Sequence, residues 1–469
     1  MQKTMEDNKK IIIYLILAAA GVCYFFFLGE SGAVLGNDSG GYINASYERE
    51  PFYPLVIMAC RALFGEGGLH AVVFLQGSTA LISCLVLLAV ISRKFGLREW
   101  ETVVCYFLLL LPFGLDTMWS QPRVNYSHLI YTECFSYAFF YLYLTAVICY
   151  VQKEKNTLSY ICMLLLCTVM MMNRNQMELC FVLTGLLSVW MNLIRARVKC
   201  VKKCIAELIG VGAAVAAAVL LTLTYNDMRW GYFEKSSENT FTMMSNLLYT
   251  SDAEDTELFE DEEERAVFEA LYAGADQNGW THAYAGSGWY ERGEAVAACH
   301  DPIKYQIIRP FFQQYVAERG MEPMGFESDR VKKEMSKRVQ SVLWKAHFGD
   351  WLYHAFCMMP KGFVLSVMPT VPAGGFWYAA AGAVLVWIFF LFMLFRLLFS
   401  KKHRKGNTGL PELALVIMGF IAMNVAALCL VIFIVPRYLN YTQGMFWIVF
   451  FLMLRELLCG KTGGQGGSG

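Results

Sequence analysis

Asn37-Asp38-Ser39-Gly40-Gly41-Tyr42, then Ala45, then Arg49-Glu50-Pro51-Phe52-Tyr53-Pro54-Leu55 bring a carboxylate, a guanidinium and several aromatic rings into one short stretch. Those residue types suit acid–base chemistry on a hydroxylated substrate. Asp38 is the candidate general base, Arg49 a clamp for phosphate or carboxylate, and Tyr42 and Tyr53 are rings on which a sugar can stack. Gly40-Gly41 allows the backbone to bend closely around a ligand, while Pro51 and Pro54 fix the chain as it turns back. The plain alternative for Asp38 is a solvated carboxylate in a glycine-rich turn. Its neighbours argue for a site.

The elements that must hold this stretch are apolar helices. The chain is 57% hydrophobic and 17% charged, against about 45–50% and about 25% in soluble domains. Apolar runs fall at 11–28, 69–91, 101–116, 128–151, 157–172, 177–194, 204–225, 375–399, 410–435 and 442–458. Runs near 18 residues or longer span a bilayer as helices, so the expected fold class is an all-α integral membrane protein with about ten transmembrane helices. Alternate connections are basic: Lys9-Lys10; Arg93, Lys94 and Arg98; Lys153 and Lys155; Arg195, Arg197, Lys199, Lys202 and Lys203; Lys401, Lys402, Arg404 and Lys405. By the positive-inside rule these connections are cytoplasmic, as are both termini. Residues 29–68, 117–127, 173–176 and 226–374 then lie outside. The first run has no A-x-A-like cleavage site and reads as a retained helix.

The expected organisation is an N-terminal transmembrane module at 1–225, whose first outer loop (29–68) is catalytic. A small, mainly helical extracytoplasmic domain follows at 226–374, and C-terminal helices occupy 375–460. A Gly-rich tail of linker composition follows at 461–469. Pro54–Phe64 reads as a surface helix. In the polar segment Asp301-Pro302 reads as a helix start, Gly320 as a stop, and Ser328 or Asp329 as the cap of a helix over Arg330–Phe348. Most of the 15 cysteines sit in apolar runs as small hydrophobes, which argues against a disulfide framework.

Asp38-Ser39-x-x-Tyr42-x-x-Ala45 with Arg49-x-Pro51-x-Tyr53-Pro54-Leu55 resembles the first outer loop of bacterial GT-C glycosyltransferases, the group of protein O-mannosyltransferases and lipid A aminoarabinose transferases. Three further motifs occur in the order found in that group: Tyr131-Thr132-Glu133, Asn173-Arg174-Asn175 and Pro436-Arg437-Tyr438. Together they cover roughly the first 200 residues and the last 40. Ser39 stands where many relatives carry a second acid, which weighs against a metal-dependent variant; Glu48 and Glu50 could supply that acid. The resemblance implies an inverting transfer of a sugar from a polyprenyl-phosphate donor to a glycan, lipid or protein acceptor on the outer face of a plasma (inner) membrane. Asp38 would be the base, and Tyr42, Arg49, Tyr53, Glu133, Arg174, Arg437 and Tyr438 would bind substrate. No cofactor is expected, and a divalent metal is compatible with the loop but not indicated by it.

Each residue also has a plainer reading. Arg437 fits a helix-end arginine reaching the interface as well as a phosphate clamp. Glu133 fits a buried ion pair slightly better than a catalytic role, and Asp116 and His128 fit interface residues. Trp280, Tyr284, Trp289 and Tyr290 could bind an acceptor glycan or form a domain core, and Lys345 and His347 could touch a donor phosphate or sit on a solvated helix face. A ligase or polymerase of lipid-linked polysaccharides would lean on Arg309, His300 or His347, and a flippase on charged residues at bilayer mid-depth. The acidic run 252–264 lacks calcium-loop spacing. With no P-loop, dinucleotide fingerprint or zinc motif, and with basic clusters that act as topology signals, nucleic acid is not an expected partner.

Overall fold

The computed structural model describes residues 2–28, 32–119, 124–152, 157–195, 200–235, 238–368, 375–399 and 409–459. Lys153, Lys155, Arg197, Lys199, Lys401, Lys402, Arg404, Lys405 and the tail 461–469 lie outside them. Among the described residues there is no strand, only one isolated parallel bridge between Val34 and Leu129. Among the described residues eight helical stretches are long and apolar enough to cross a membrane, which makes the chain an all-α, multi-pass membrane protein. It divides into two compact units: Met1–Thr222 with Leu365–Ile421 and Pro436–Gly469, and Leu223–Val364 with Ala422–Val435.

The first unit opens with α1 (Gln2–Val22), α2 (Ser39–Ile43) and α3 (Phe52–Phe64). Next come α4 (Gly68–Phe95), α5 (Glu99–Trp119), α6 (Glu133–Val151), α7 (Thr157–Asn173), α8 (Leu179–Val189) and α9 (Val201–Trp230), whose residues from Leu223 on belong to the second unit. The short α3 turns back along α4. Gly65 takes a positive φ (57°) at the turn, and a Cβ on Gly68 would sit 2.7 Å from the Arg61 Cα. Glycine is what permits that approach. The fourth helix starts at Glu133 rather than at 128. Residues 124–132 form an irregular buried segment, because the backbone at 128–130 pairs with Val34 instead. α7 spans 17 residues, about 26 Å at 1.5 Å per residue, a little less than a bilayer core of about 30 Å.

The second unit holds α10 (Glu238–Thr250), α11 (Glu262–Gln277), α12 (Trp289–Pro302), α13 (Arg309–Ala317) and most of α14 (Phe326–Val367). Asp261 caps α11, its carboxylate accepting from Glu263 N (3.0 Å) and Glu264 N (2.9 Å). Glu262, Glu263 and Glu264 in the first turn favour the positive end of the helix dipole, and Val267, Phe268, Leu271 and Ala275 form the buried face. Asp301-Pro302 does not start a helix. The chain runs helically from α12 through a wide turn at Ile303–Ile308 into α13. Such turns absorb a local misfit, and buried Ile303, Ile308, Phe312 and Val316 keep the segment packed. Gly320 (φ 72°) ends it, as its residue type suggests. Ser328 and Asp329 lie inside α14, and the expected end at Phe348 is a kink at His347 (φ −109°, ψ 16°), beyond which the helix continues.

The remaining helices are α15 (Phe376–Phe399), α16 (Leu410–Val431), the short α17 (Pro436–Leu439) and α18 (Gln443–Cys459). The apolar run expected at 410–435 breaks after Val431, and its last residues belong to the second unit. The described cysteines are free thiols.

Candidate functional site

Four segments far apart in sequence meet in the first unit, and the segment between α1 and α3 is one of them. Ser39 Oγ donates to Ile130 O (3.1 Å) and accepts from Gly36 N (2.9 Å), which closes the turn. Val34 N bonds His128 O (2.9 Å) and Ile130 N bonds Val34 O (3.0 Å), so the loop is stitched to the segment before α6. Ser39 is thus a buried structural residue. Asp38, one residue earlier, stays at the rim with its side chain 35% exposed.

Asp38 Oδ1 accepts from Arg49 Nη2 at 2.8 Å. The Arg49 guanidinium lies over the Tyr42 ring at 4.7 Å, within cation–π range. A Cβ on Gly41 would come 2.7 Å from Arg49 Nε, so glycine makes room for the arginine. Tyr42 meets Tyr53 edge to face at 5.2 Å; burial raises the Tyr42 phenol to a pKa of about 12, keeping it neutral. Tyr53 donates to Gln76 Oε1. Gln76 Nε2 in turn donates to Ser127 O (2.8 Å) and Leu129 O (3.1 Å). Ala45, fully inside this turn, has φ 47°, a conformation costing an L-residue roughly 1–2 kcal/mol.

The other three segments form a second cluster. Glu133 Oε1 pairs with Arg174 Nη1 at 2.7 Å with only 4% of the Glu133 side chain exposed. Arg174 lies over the Tyr438 ring at 4.7 Å, and Arg437 Nη2 donates to Tyr438 Oη at 2.9 Å. Asn173 Nδ2 donates to Thr132 O (3.0 Å) and Ser136 Oγ (2.8 Å), and Gln176 Nε2 to Tyr438 O (3.0 Å). Asn175 Nδ2 donates to Glu50 Oε1, tying this cluster to the first loop. A second link runs from Asp38 N to Tyr131 Oη at 3.5 Å.

All eight site residues named from the sequence therefore belong to one network: Asp38, Tyr42, Arg49 and Tyr53 at one end, Glu133, Arg174, Arg437 and Tyr438 at the other. Asp116, read from sequence as an interface residue, is also part of it. Its Oδ1 accepts from Asn440 Nδ2 at 2.6 Å and its Oδ2 from Tyr137 Oη, whose oxygen also lies 3.2 Å from Arg437 O. Asp116 is the lone charged residue between Thr102 and Trp119, which was the available signal. Tyr137, Asn440 and Gln76 gave none, being single polar groups in apolar surroundings. His128 Nε2 contacts Phe25 O (3.0 Å), a structural role.

The residues named in the polar segment lie in the second unit. His300 is buried beside Asp301 (3.2 Å), and His347 Nε2 is 2.6 Å from Asp255 Oδ2. Tyr284, Trp289 and Lys345 are exposed, with Trp280, Tyr290 and Arg309 partly so. Among the described residues no three of His, Cys, Asp or Glu cluster as metal ligands would.

Chemically, the arrangement offers one accessible carboxylate next to two arginines already neutralised by carboxylates. Arg437 differs from both: among the described residues it has no carboxylate at ion-pair distance, its contacts are the Tyr438 hydroxyl and ring, and Glu133 acts on it only from farther off. An arginine so placed can take an anionic group. Compared with known proteins, the chain matches no family model, no curated sequence and no solved structure. Fold and site define the class: a multi-pass α-helical membrane protein with a buried, arginine-rich polar network.

Proposed function

We propose that the protein is a GT-C-type inverting glycosyltransferase with about ten transmembrane helices and cytoplasmic termini. It moves a sugar from a polyprenyl-phosphate donor to a glycan, lipid or protein acceptor on the outer face of a plasma (inner) membrane. One observation carries the reading: a carboxylate at the rim, Asp38, and a guanidinium with no carboxylate at ion-pair distance, Arg437, belong to the same network. In this reaction Asp38 takes the proton of the acceptor hydroxyl as that oxygen forms its bond to the anomeric carbon. The bond from that carbon to the phosphate oxygen breaks, its electrons leave with the lipid phosphate, and the anomeric centre inverts. Arg49 engages Oδ1 and sets the carboxylate's orientation, leaving Oδ2 for the proton. Arg437 meets the charge growing on the phosphate, where a charge-assisted bond strengthens toward the transition state.

The test is transfer by purified protein from a panel of polyprenyl-phosphate sugars. Asp38→Asn keeps the size and removes the base, so transfer should fall at least about a hundredfold. Arg437→Ala should cost about 10²–10³. Full activity in Asp38→Asn would remove the base assignment. Loss confined to changes at Arg309, His300 or His347 would favour a ligase of lipid-linked polysaccharides.

A further inference from the structure

A cavity of about 10 Å³ lies within the second unit, lined by residues of α10, α12, α14 and the returning segment Ala422–Val435. Four of its lining side chains, Asn246, Tyr249, Trp351 and His354, are each more than nine-tenths buried. Each carries a polar atom with no hydrogen-bond partner in the protein: Asn246 Oδ1, Tyr249 Oη, Trp351 Nε1 and His354 Nε2. Buried polar groups are seldom left so, and four around one cavity point to a common guest.

The hydrogen bonds that these side chains do make fix what each can offer. Asn246 Nδ2 donates to Val431 O (3.1 Å), leaving Oδ1 as an acceptor. His354 Nδ1 faces Asp350 O at 2.8 Å; a carbonyl only accepts, so Nδ1 carries the proton and the neutral ring keeps a lone pair on Nε2. Burial holds this imidazole below the ordinary histidine value, with His282, Arg292 and Asp350 as its charged surroundings. The Trp351 indole can only donate, and the Tyr249 hydroxyl can do either. The set is two acceptors, one donor and one group of either kind.

We propose that the second unit contains a built-in site for a single water molecule, held by Asn246, Tyr249, Trp351 and His354. Water matches the set atom for atom: its two hydrogens go to Asn246 Oδ1 and His354 Nε2, and its oxygen accepts from Trp351 and Tyr249. Ammonium has no lone pair for the indole, and a halide has no hydrogen for the two acceptors. The volume is that of one water. Through Asn246, whose amide also holds Val431 O, the water joins α10 and α14 to the returning segment.

Two measurements on the full-length purified protein decide the matter. Tyr249→Phe deletes only the hydroxyl. If the hydroxyl bonds a water, its loss lowers the melting midpoint; an unchanged or raised midpoint, which a dry orphaned hydroxyl would produce, overturns the site. X-ray radiolytic labelling gives a second readout independent of stability, since bound water is the source of the reactive oxygen. Met358, which lines the cavity, should be labelled well above Met335, which is equally buried on the same helix but lies roughly 24 Å along it from Trp351, and in Asn246→Leu should fall to the Met335 level. Equal labelling of the two methionines in the unaltered protein overturns the proposal.

Discussion

Glu133 and Arg174 are each other's charge balance in a place where water is scarce. Breaking such a pair leaves an uncompensated buried charge and typically costs about 3–5 kcal/mol, while replacing both partners costs much less. Glu133→Gln should therefore lower the thermal midpoint in detergent sharply, and Glu133→Gln with Arg174→Met should recover much of the loss. Equal destabilisation in single and double variants would show that the pair is not the source. A smaller effect belongs to Ala45, whose positive φ glycine tolerates and a β-branched side chain does not. Ala45→Val should destabilise more than Ala45→Gly in the same assay. At this scale the sequence was informative where a charge stood in an apolar setting: Glu133, Arg174 and Arg437 were visible for that reason. Asp116 was visible too, but its setting was misjudged, because the groups that bury it, Tyr137 and Asn440, lie 21 and 324 residues away in the chain.

Two elements control whether the network keeps its shape. α18 approaches α5 so closely that a Cβ on Gly444 would stand 2.2 Å from Leu108 O. A backbone atom cannot give way as a side-chain tip can, so Gly444→Ala must push α18 outward, and overpacking of this kind costs about 1–3 kcal/mol. Because α17 and the turn that follows it lead directly into α18, transfer activity should fall in this variant although no substrate-facing group has changed. In the second unit, α14 carries His354, whose imidazole is held neutral by burial. The unfolded chain binds a proton at this residue more readily than the folded one, so stability is full above about pH 6.5 and is lost as the pH falls below it. Melting followed between pH 7.5 and 5 should show the decline, and His354→Gln should flatten it. Helix positions were legible from periodicity and apolar length, but their ends were less so. Asp301-Pro302 has the residue types of a helix start, yet the packing of Ile303 and Ile308 carries the helix through it. Tertiary burial outweighed a local preference worth about 1 kcal/mol.

For the molecule as a whole, the alternation of basic connections makes a topological prediction that does not depend on the chemistry. Fusing a reporter active only outside the cytoplasm within 226–374 should give signal, and fusing it at Arg98 or after Cys459 should give none; the reverse pattern would invert the proposed orientation. The apolar character was legible from composition because the bilayer is a uniform solvent with a uniform demand. The division into units was not, since the return of Ala422–Val435 to the second unit leaves no mark in hydropathy.

That return has a consequence for biogenesis. Each unit needs residues made after the other has begun, so neither can close while the ribosome is still upstream of residue 435. At about 5–20 residues per second, the second unit waits several seconds after Val364 for its last segment, and the first waits longer for Arg437. A nascent chain stalled short of that point would display both unfinished surfaces to the membrane's quality-control proteases, which makes the codons for Ala422 to Arg437 the ones on which survival of both units turns.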